Sequence, residues 1–252
     1  MKILLDISFL GTAYRGYQVQ PDAPTVQGML NRAARDLFGF ECDVVGCSRT
    51  DSGVHANQFC LCISKRGEQG ISTGIPIEKI PAALSVRLPD DISVNGAKYV
   101  DDSFHARYDV KYKEYVYVIW NDAQTSPFMY DRSWHYPRYI DDAALAKMND
   151  AASRFVGTHD FSAYMASNSD VTSTVRTVRS AEVFREGKTV CFRVSADGFL
   201  YNMVRILTGT LIGVAEGKLT PEDIDRITIS RDRKNAGMTV PPQGLYLNKV
   251  VY

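Results

Sequence analysis

The sequence predicts an α+β protein built from two similar halves around one continuous sheet. Stretches in which apolar residues alternate with period 2, as in strands, are separated by stretches with the spacing of amphipathic helices. Each half combines strands with helices, and no low-complexity linker separates the two. We place the N-terminal half at residues 1–107 and the C-terminal half at residues 108–252.

The N-terminal half begins with a strand whose apolar residues all fall on one face, at 2–10. A helix follows, opened by Pro24 and Thr25 and ended by Gly39. A second helix is predicted at 77–88. Further strands are predicted at 43–46, 58–64 and 92–100.

The C-terminal half repeats these ingredients. Its predicted strands lie at 114–120, 180–184, 190–195 and 244–251. Asp141 or Asp142 caps one helix, and apolar residues over 200–214 mark another of about four turns. Thr220 before Pro221 predicts a third helix start with a hydroxyl cap.

Composition and charge limit the classes of protein. Of 252 residues, 45% are hydrophobic, and 29 basic side chains balance 29 acidic ones. No apolar run approaches the roughly 20 residues that span a bilayer, and the start lacks a signal-peptide cleavage site. Five cysteines without a pairing pattern favour free buried thiols in a reducing cytoplasm, and four scattered histidines disfavour a metal. We expect a cytoplasmic protein without a metal or another cofactor.

The residues best suited to chemistry lie in the segment GCSRTDSGVHA at 46–56. Polar and charged side chains cluster there between two apolar strands, and loops fixed on a rigid sheet often carry catalytic groups. Taken alone, Thr50, Asp51 and Gly53 are at least as well explained as turn residues.

The string RTDSGVHA at 49–56 closely resembles the RTDxGVHA signature of the TruA family of tRNA pseudouridine synthases. Further stretches resemble the family's motifs in order along nearly the whole chain. They are GTAYRGYQVQ at 11–20, FHAR at 104–107, YVY at 115–117, GTHDFS at 157–162, RTV at 176–178, FLYNMVR at 199–205 and PPQGLYL at 241–247. Tyr17 and Ser52 replace a frequent Trp and a frequent Ala of the family, and neither change removes a reacting group.

The resemblance implies isomerisation of uridine to pseudouridine, in which the glycosidic bond is cut at N1 and remade at C5. It implies the pseudouridine synthase fold, with two similar α/β halves that share a central, mostly antiparallel sheet and have a cleft between them. Bacterial members act at positions 38 to 40 of the tRNA anticodon stem-loop and work as homodimers. We carry both properties over as expectations, with tRNA as the partner and no membrane.

The resemblance also implies the catalytic residues. Asp51 matches the essential aspartate, which is a nucleophile or a base acting on the ribose, and the sequence leaves both open. Tyr115 matches the tyrosine that stacks on the uracil and takes the proton from C5. Arg205 matches the arginine that keeps the aspartate ionised, a task that suits its fixed, permanently charged fork. Without the resemblance, Tyr115 is better explained by sheet packing and Arg205 by a solvated helix face.

Four more residues are candidates for holding the RNA. Arg49 is suited to filling the vacancy left by the extruded base or to binding a phosphate, with a weak surface salt bridge as the alternative. Thr50 belongs to the same signature. His55 contacts a phosphate or ribose, or else caps a backbone group. Arg107 contacts RNA or supports the structure.

Two rival functions are a non-catalytic RNA-binding protein with the same fold and a hydrolase that uses Asp51 as its base. Retention of Asp51, Tyr115 and Arg205 together argues against the first. No second carboxylate or metal motif is present to activate water for the second. Because the net charge is zero, RNA binding requires basic side chains to be concentrated on one part of the surface. Residues 176–193 are such a stretch, with five basic side chains and two acidic ones.

Overall fold

The computed structural model describes residues 1–167 and 171–252. The strands are β1 Lys2–Phe9, β2 Cys42–Gly46, β3 His55–Lys65, β4 Ile92–Val100, β5 Tyr112–Trp120, β6 Trp134–His135, β7 Gly157–Asp160, β8 Val175–Glu186, β9 Thr189–Ala196 and β10 Leu245–Val251. The helices are α1 Val26–Phe38, α2 Ile80–Ser85, α3 Asp142–Ser153, α4 Met203–Ala215 and α5 Asp223–Ser230. The predicted α+β class is confirmed.

The chain folds into two compact units. Unit 1 comprises Met1–Lys111 and Leu247–Tyr252, and unit 2 comprises Tyr112–Tyr246. In unit 1 the strands run in the order β4, β1, β3, β10, with β2 also paired to β3. In unit 2 they run β5, β9, β8, β7, and the short β6 pairs parallel with β5. Pairing in both units is mostly antiparallel, as predicted.

Local signals placed both ends of α1 correctly. The Thr25 hydroxyl accepts a hydrogen bond from the Gly28 N–H at 3.2 Å, and Gly39 ends the helix in the left-handed conformation. The helix predicted over 77–88 is instead a 3₁₀ turn at Ile77–Lys79 followed by the short α2. Pro81 explains the break, because it has no N–H to continue an α-helical ladder from the turn.

Two predictions in unit 2 are wrong in detail. The helix predicted from Leu200 starts at Met203, because Asn202 adopts φ 58° and ψ 10°, a left-handed conformation that asparagine tolerates. The hydroxyl cap predicted at Thr220 is absent from α5. Instead, the Asp223 carboxylate accepts hydrogen bonds from the Thr220 N–H at 2.7 Å and from the Thr220 hydroxyl at 3.1 Å.

Among the helices of the described residues, none has the length and apolar character that a membrane span requires.

Tyr17 lies in the core of unit 1 with its ring stacked on Phe59, the centroids 4.4 Å apart. Burial raises the pKa of its phenol far above the usual range. The phenol oxygen has no hydrogen-bond partner among the described residues, and it lies against Gly46, where an added Cβ would be 2.7 Å from it. A buried, unsatisfied hydroxyl costs stability.

We therefore expect Tyr17→Phe to raise the free energy of unfolding by about 1 kcal/mol, measured by urea denaturation. Tyr117→Phe is the matched control, because that equally buried hydroxyl donates to the Pro241 carbonyl at 2.7 Å. The control should lose about 1 kcal/mol. A Tyr17→Phe variant that is destabilised as much as the control would show that the Tyr17 hydroxyl is satisfied in solution.

Candidate active site

The loop that carries Asp51 spans residues 47–54, between the end of β2 and the start of β3. The Cys47 N–H continues the ladder by donating to the Cys60 carbonyl at 2.8 Å. At the tip of the loop, the Val54 N–H donates a hydrogen bond to the Asp51 carbonyl at 3.2 Å, and Gly53 supplies the positive φ of 77° that this turn needs. Asp51 is thus half-buried in a short turn fixed between two paired strands.

A second segment, residues 11–17, lies directly against this loop. The Tyr17 N–H donates to the Thr50 carbonyl at 3.1 Å, and the Gly53 N–H donates to the Tyr14 carbonyl at 3.4 Å. Gly16 has φ 89°, and a Cβ there would be 2.7 Å from the Thr50 carbonyl oxygen. The glycine-rich motif near the start of the chain therefore holds the aspartate loop, a role that sequence reasoning missed because the two segments are far apart in sequence.

Gly11 is the glycine of segment 11–17 whose backbone comes closest to the Asp51 loop. A Cβ there would lie 2.0 Å from the Val54 carbonyl oxygen, so Gly11→Ala requires the backbone of the loop to move. We expect that variant to lose about 100-fold in turnover of the protein's substrate, since a catalytic group displaced by 1 Å has an effect of this order. The control is Gly96→Ala on β4, where an added Cβ meets open space. Equal activity of the two variants would contradict this role of Gly11.

Thr50 and His55, both predicted to bind substrate, are buried. His55 is 0% exposed, and its Nδ1 accepts a hydrogen bond from the Gly11 N–H at 2.9 Å. Thr50 is 7% exposed. The His55 contact agrees with the alternative in which this histidine caps a backbone group, whereas the buried Thr50 hydroxyl has no hydrogen-bond partner among the described residues.

Arg49 and Arg107 are exposed. Arg49 lies two residues before Asp51 on the loop. The Arg107 guanidinium lies 5.9 Å from the centroid of the Tyr108 ring. The segment before Arg107 is anchored within unit 1, since the Tyr252 hydroxyl donates to the Ala106 carbonyl at 2.7 Å. Both arginines are therefore accessible to a macromolecular ligand.

Tyr115, the predicted catalytic tyrosine, lies in the middle of β5 in unit 2. Its side chain is 6% exposed, and its cross-strand neighbour is Val194. The ring meets Phe199 edge-on, with centroids 4.9 Å apart and planes at 80°. Sheet pairing and this aromatic contact fix the orientation of the phenol.

Arg205 lies in the first turn of α4, because the helix begins at Met203 and not at residue 200 as predicted. Its Nε donates to the Val240 carbonyl at 2.8 Å, and its Nη1 donates to the Asn202 side-chain oxygen at 2.5 Å. These two bonds set the plane of the guanidinium. The positive end of a helix dipole disfavours a cation, so placing one there concentrates positive potential suited to an anion.

The basic stretch at 176–193 is partly neutralised within unit 2. Arg193 pairs with Glu182 at 2.9 Å, and Lys188 pairs with Asp122 at 2.5 Å. Arg185 donates to the Ile140 carbonyl. In this stretch, Arg176, Arg179 and Arg185 therefore remain without a carboxylate partner among the described residues, and the positive charge expected from the sequence is reduced to these three.

Cysteine chemistry does not fit this protein. All five cysteines are buried, and none forms a disulfide. Burial raises the pKa of Cys42 and of Cys62 to about 11, and that of Cys60 to about 12. Because the thiolate is the reactive form, these thiols are inert at neutral pH. Over residues 1–167 and 171–252, no three His, Cys, Asp or Glu side chains are grouped as metal ligands.

Comparison with known proteins gives matches along the whole chain. A family model described as tRNA pseudouridine synthase matches residues 7–109 and 151–252. Three proteins named tRNA pseudouridine synthase A are similar over 99% or more of this chain and 99% of their own length. They come from Thermoanaerobacter sp. (strain X514), 44% identical, Acetivibrio thermocellus, 43%, and Bacillus licheniformis, 40%.

Proposed function

The chain belongs to the tRNA pseudouridine synthase family, and we propose that it isomerises uridine to pseudouridine at positions 38 to 40 of the tRNA anticodon stem-loop. The observation that carries the proposal is the Asp51 loop. A half-buried carboxylate is held there by a dedicated glycine-rich segment, in a chain similar to such synthases over its full length.

The reaction moves one bond and one proton. The C1′–N1 bond of the uridine breaks, the uracil turns, and a C1′–C5 bond forms while C5 loses its proton and N1 gains one. The product is an isomer of the substrate, so no oxidant, reductant or second substrate is consumed. The detached uracil must stay in the site until it is rejoined, because its escape would make the reaction a hydrolysis.

Asp51 serves in this proposal as the nucleophile at C1′ or as a base on the ribose. Both roles need an ionised carboxylate, and burial opposes ionisation unless a cation compensates for it. Arg205 is proposed as that cation on the family resemblance, and a permanently charged guanidinium suits the task. Within unit 2 it is held by the Val240 carbonyl and the Asn202 side chain at the positive end of α4.

Tyr115 is proposed to stack on the uracil and to take the proton from C5. The support is its place in β5, where Phe199 fixes its ring. Arg49 is proposed to fill the gap that the extruded base leaves or to hold a phosphate, and Arg107 to contact the RNA. Thr50 and His55 are proposed to act by holding the loop.

The family resemblance also supports a homodimer in the cytoplasm, with tRNA lying across both subunits, and we propose both properties. Sedimentation of the purified protein tests the dimer. A mass of one 28.1 kDa chain at micromolar concentration would contradict it.

The experiment that tests the proposed function is a chemical map of pseudouridine in tRNA from cells with and without this protein. We expect pseudouridine in the anticodon stem-loop to disappear without it and to return when the purified protein is added. Unchanged maps, together with tight tRNA binding, would favour the rival RNA-binding protein.

A further inference from the structure

A bulge at the start of β8 gives one arginine an unusual position. Val178 pairs with Ala196 and Ser180 with Ser195, so Arg179 is the extra residue between them. A bulge redirects the side chain of its extra residue away from the regular alternation of the sheet. Arg179 is exposed, and its guanidinium lies 4.8 Å from the centroid of the Tyr112 ring. The ring holds a flat cation at the surface.

A second arginine precedes it on the same strand. Arg176 is half-buried, and its Nη1 donates to the carbonyls of Ser173 at 2.9 Å and Val175 at 2.6 Å. Its Nε lies against Gly198, where an added Cβ would be only 3.1 Å away. A residue larger than glycine would therefore require the Arg176 side chain to shift by a few tenths of an ångström.

These two arginines differ from the other basic residues of the hairpin, which either pair with a carboxylate or, in the case of Arg185 near the far end of β8, donate to the Ile140 carbonyl. Arg193 and Lys188 have carboxylate partners, as described above. Arg176 and Arg179 have no carboxylate within ion-pair distance in the part of the chain that the structure describes. Their positive charge is therefore not compensated by a carboxylate. The Tyr112 ring holds the Arg179 guanidinium in place and backbone carbonyls hold that of Arg176, and a fixed, uncompensated cation favours an anionic ligand.

The position of Arg176 connects this pair to the proposed catalytic tyrosine. Gly198, against which Arg176 lies, directly precedes Phe199, and the Phe199 ring packs on Tyr115. Arg179 is three residues further along β8, about 10 Å at the rise of a strand. The two cations thus extend from the neighbourhood of Tyr115 along the strand.

We propose that Arg176 and Arg179 form an arm that binds the phosphodiester backbone of the RNA substrate beside Tyr115. The proposal rests on the proposed function for the identity of the RNA. Arginine suits phosphate because its planar fork forms two parallel hydrogen bonds, and stacking on Tyr112 orients that fork before binding. Phosphate contacts position an RNA without reading its sequence.

The test is binding of tRNA measured at several salt concentrations. We expect Arg179→Gln to weaken binding several-fold at low salt and to reduce the slope of log K against log salt by roughly 0.7 to 0.9, the value for one phosphate contact. Arg176→Gln should behave alike. Arg179→Lys keeps the charge and should keep the wild-type slope. Loss of affinity should appear in KM more than in kcat.

Lys218→Gln is the matched control, because it removes one positive charge from an exposed side chain that already pairs with Glu216 at 2.5 Å. It should leave affinity and slope unchanged. An Arg179→Gln variant with wild-type affinity and slope would overturn the proposal. If Arg179→Lys loses as much as Arg179→Gln while its slope stays at the wild-type value, the arginine stacks on a base and the phosphate assignment is wrong.

The same preparations separate this proposal from the proposed function. If the wild type forms pseudouridine and Arg179→Gln leaves the slope of log K against log salt unchanged, only the proposal that Arg176 and Arg179 bind phosphate is wrong. If the wild type binds tRNA with the expected change in slope but forms no pseudouridine, the arm stands and the proposed function fails. Circular dichroism of each variant shows whether it is folded.

Discussion

Asp51→Asn is expected to abolish pseudouridine formation, with turnover at least about 10⁴-fold below wild type, while tRNA binding survives. Asparagine has nearly the size of aspartate, so the backbone bonds that hold loop 47–54 remain possible. It has no charge with which to attack C1′ or to take a proton. The measurement is single-turnover formation of pseudouridine in tRNA, with the dissociation constant measured on the same preparation.

The control for this prediction is Asp36→Asn, the same chemical change at an exposed site on α1 of unit 1, where the carboxylate pairs with the neighbouring Arg35 at 3.3 Å. It should retain wild-type turnover. Substantial pseudouridine formation by Asp51→Asn would remove Asp51 from the mechanism. A variant that neither binds nor reacts would instead indicate a misplaced loop, and the Gly11→Ala variant provides the comparison.

Arg205→Lys is expected to lose most of its activity, about 100-fold, although the charge is kept. The guanidinium donates from two different nitrogens, to the Val240 carbonyl and the Asn202 side chain. A single ammonium group cannot meet both partners and also hold a carboxylate with a fork. The loss should appear in kcat, because the interaction serves the ionised aspartate during the reaction.

Arg226→Lys on α5, where the arginine is exposed and pairs with Asp223, is the control and should react at the wild-type rate. Near-normal turnover of Arg205→Lys would reject a role that depends on fork geometry. A urea denaturation curve of the variant separates lost chemistry from lost stability of the first turn of α4.

Elements with strong local signals were predictable. The ends of α1 follow from Thr25 and Gly39, and the bounds of β4 agree with the predicted 92–100. The start of α4 was not predictable, because nothing in the hydrophobic pattern reveals that Asn202 adopts a left-handed conformation. The two-residue β6 and four-residue β7 are too short for a period to be recognised.

The site shows the same division between local and distant information. The sequence indicated Asp51 through its signature, but the support from Gly11 and Gly16 depends on a close approach of backbones far apart in the chain. Burial of His55 has the same origin, since β3 begins at this residue and not at Gln58 as predicted. The five basic side chains at 176–193 look alike in sequence, and only the structure shows that Lys188 and Arg193 have carboxylate partners while Arg176 and Arg179 do not.

The most direct test of the synthase mechanism is release of tritium from tRNA whose uridines are labelled at C5. We expect the wild-type protein to release one tritium for each pseudouridine formed, with no free uracil, because C5 must lose its hydrogen when it joins C1′. No tritium release from any tRNA would contradict isomerisation. Accumulation of free uracil would show that the protein is a hydrolase.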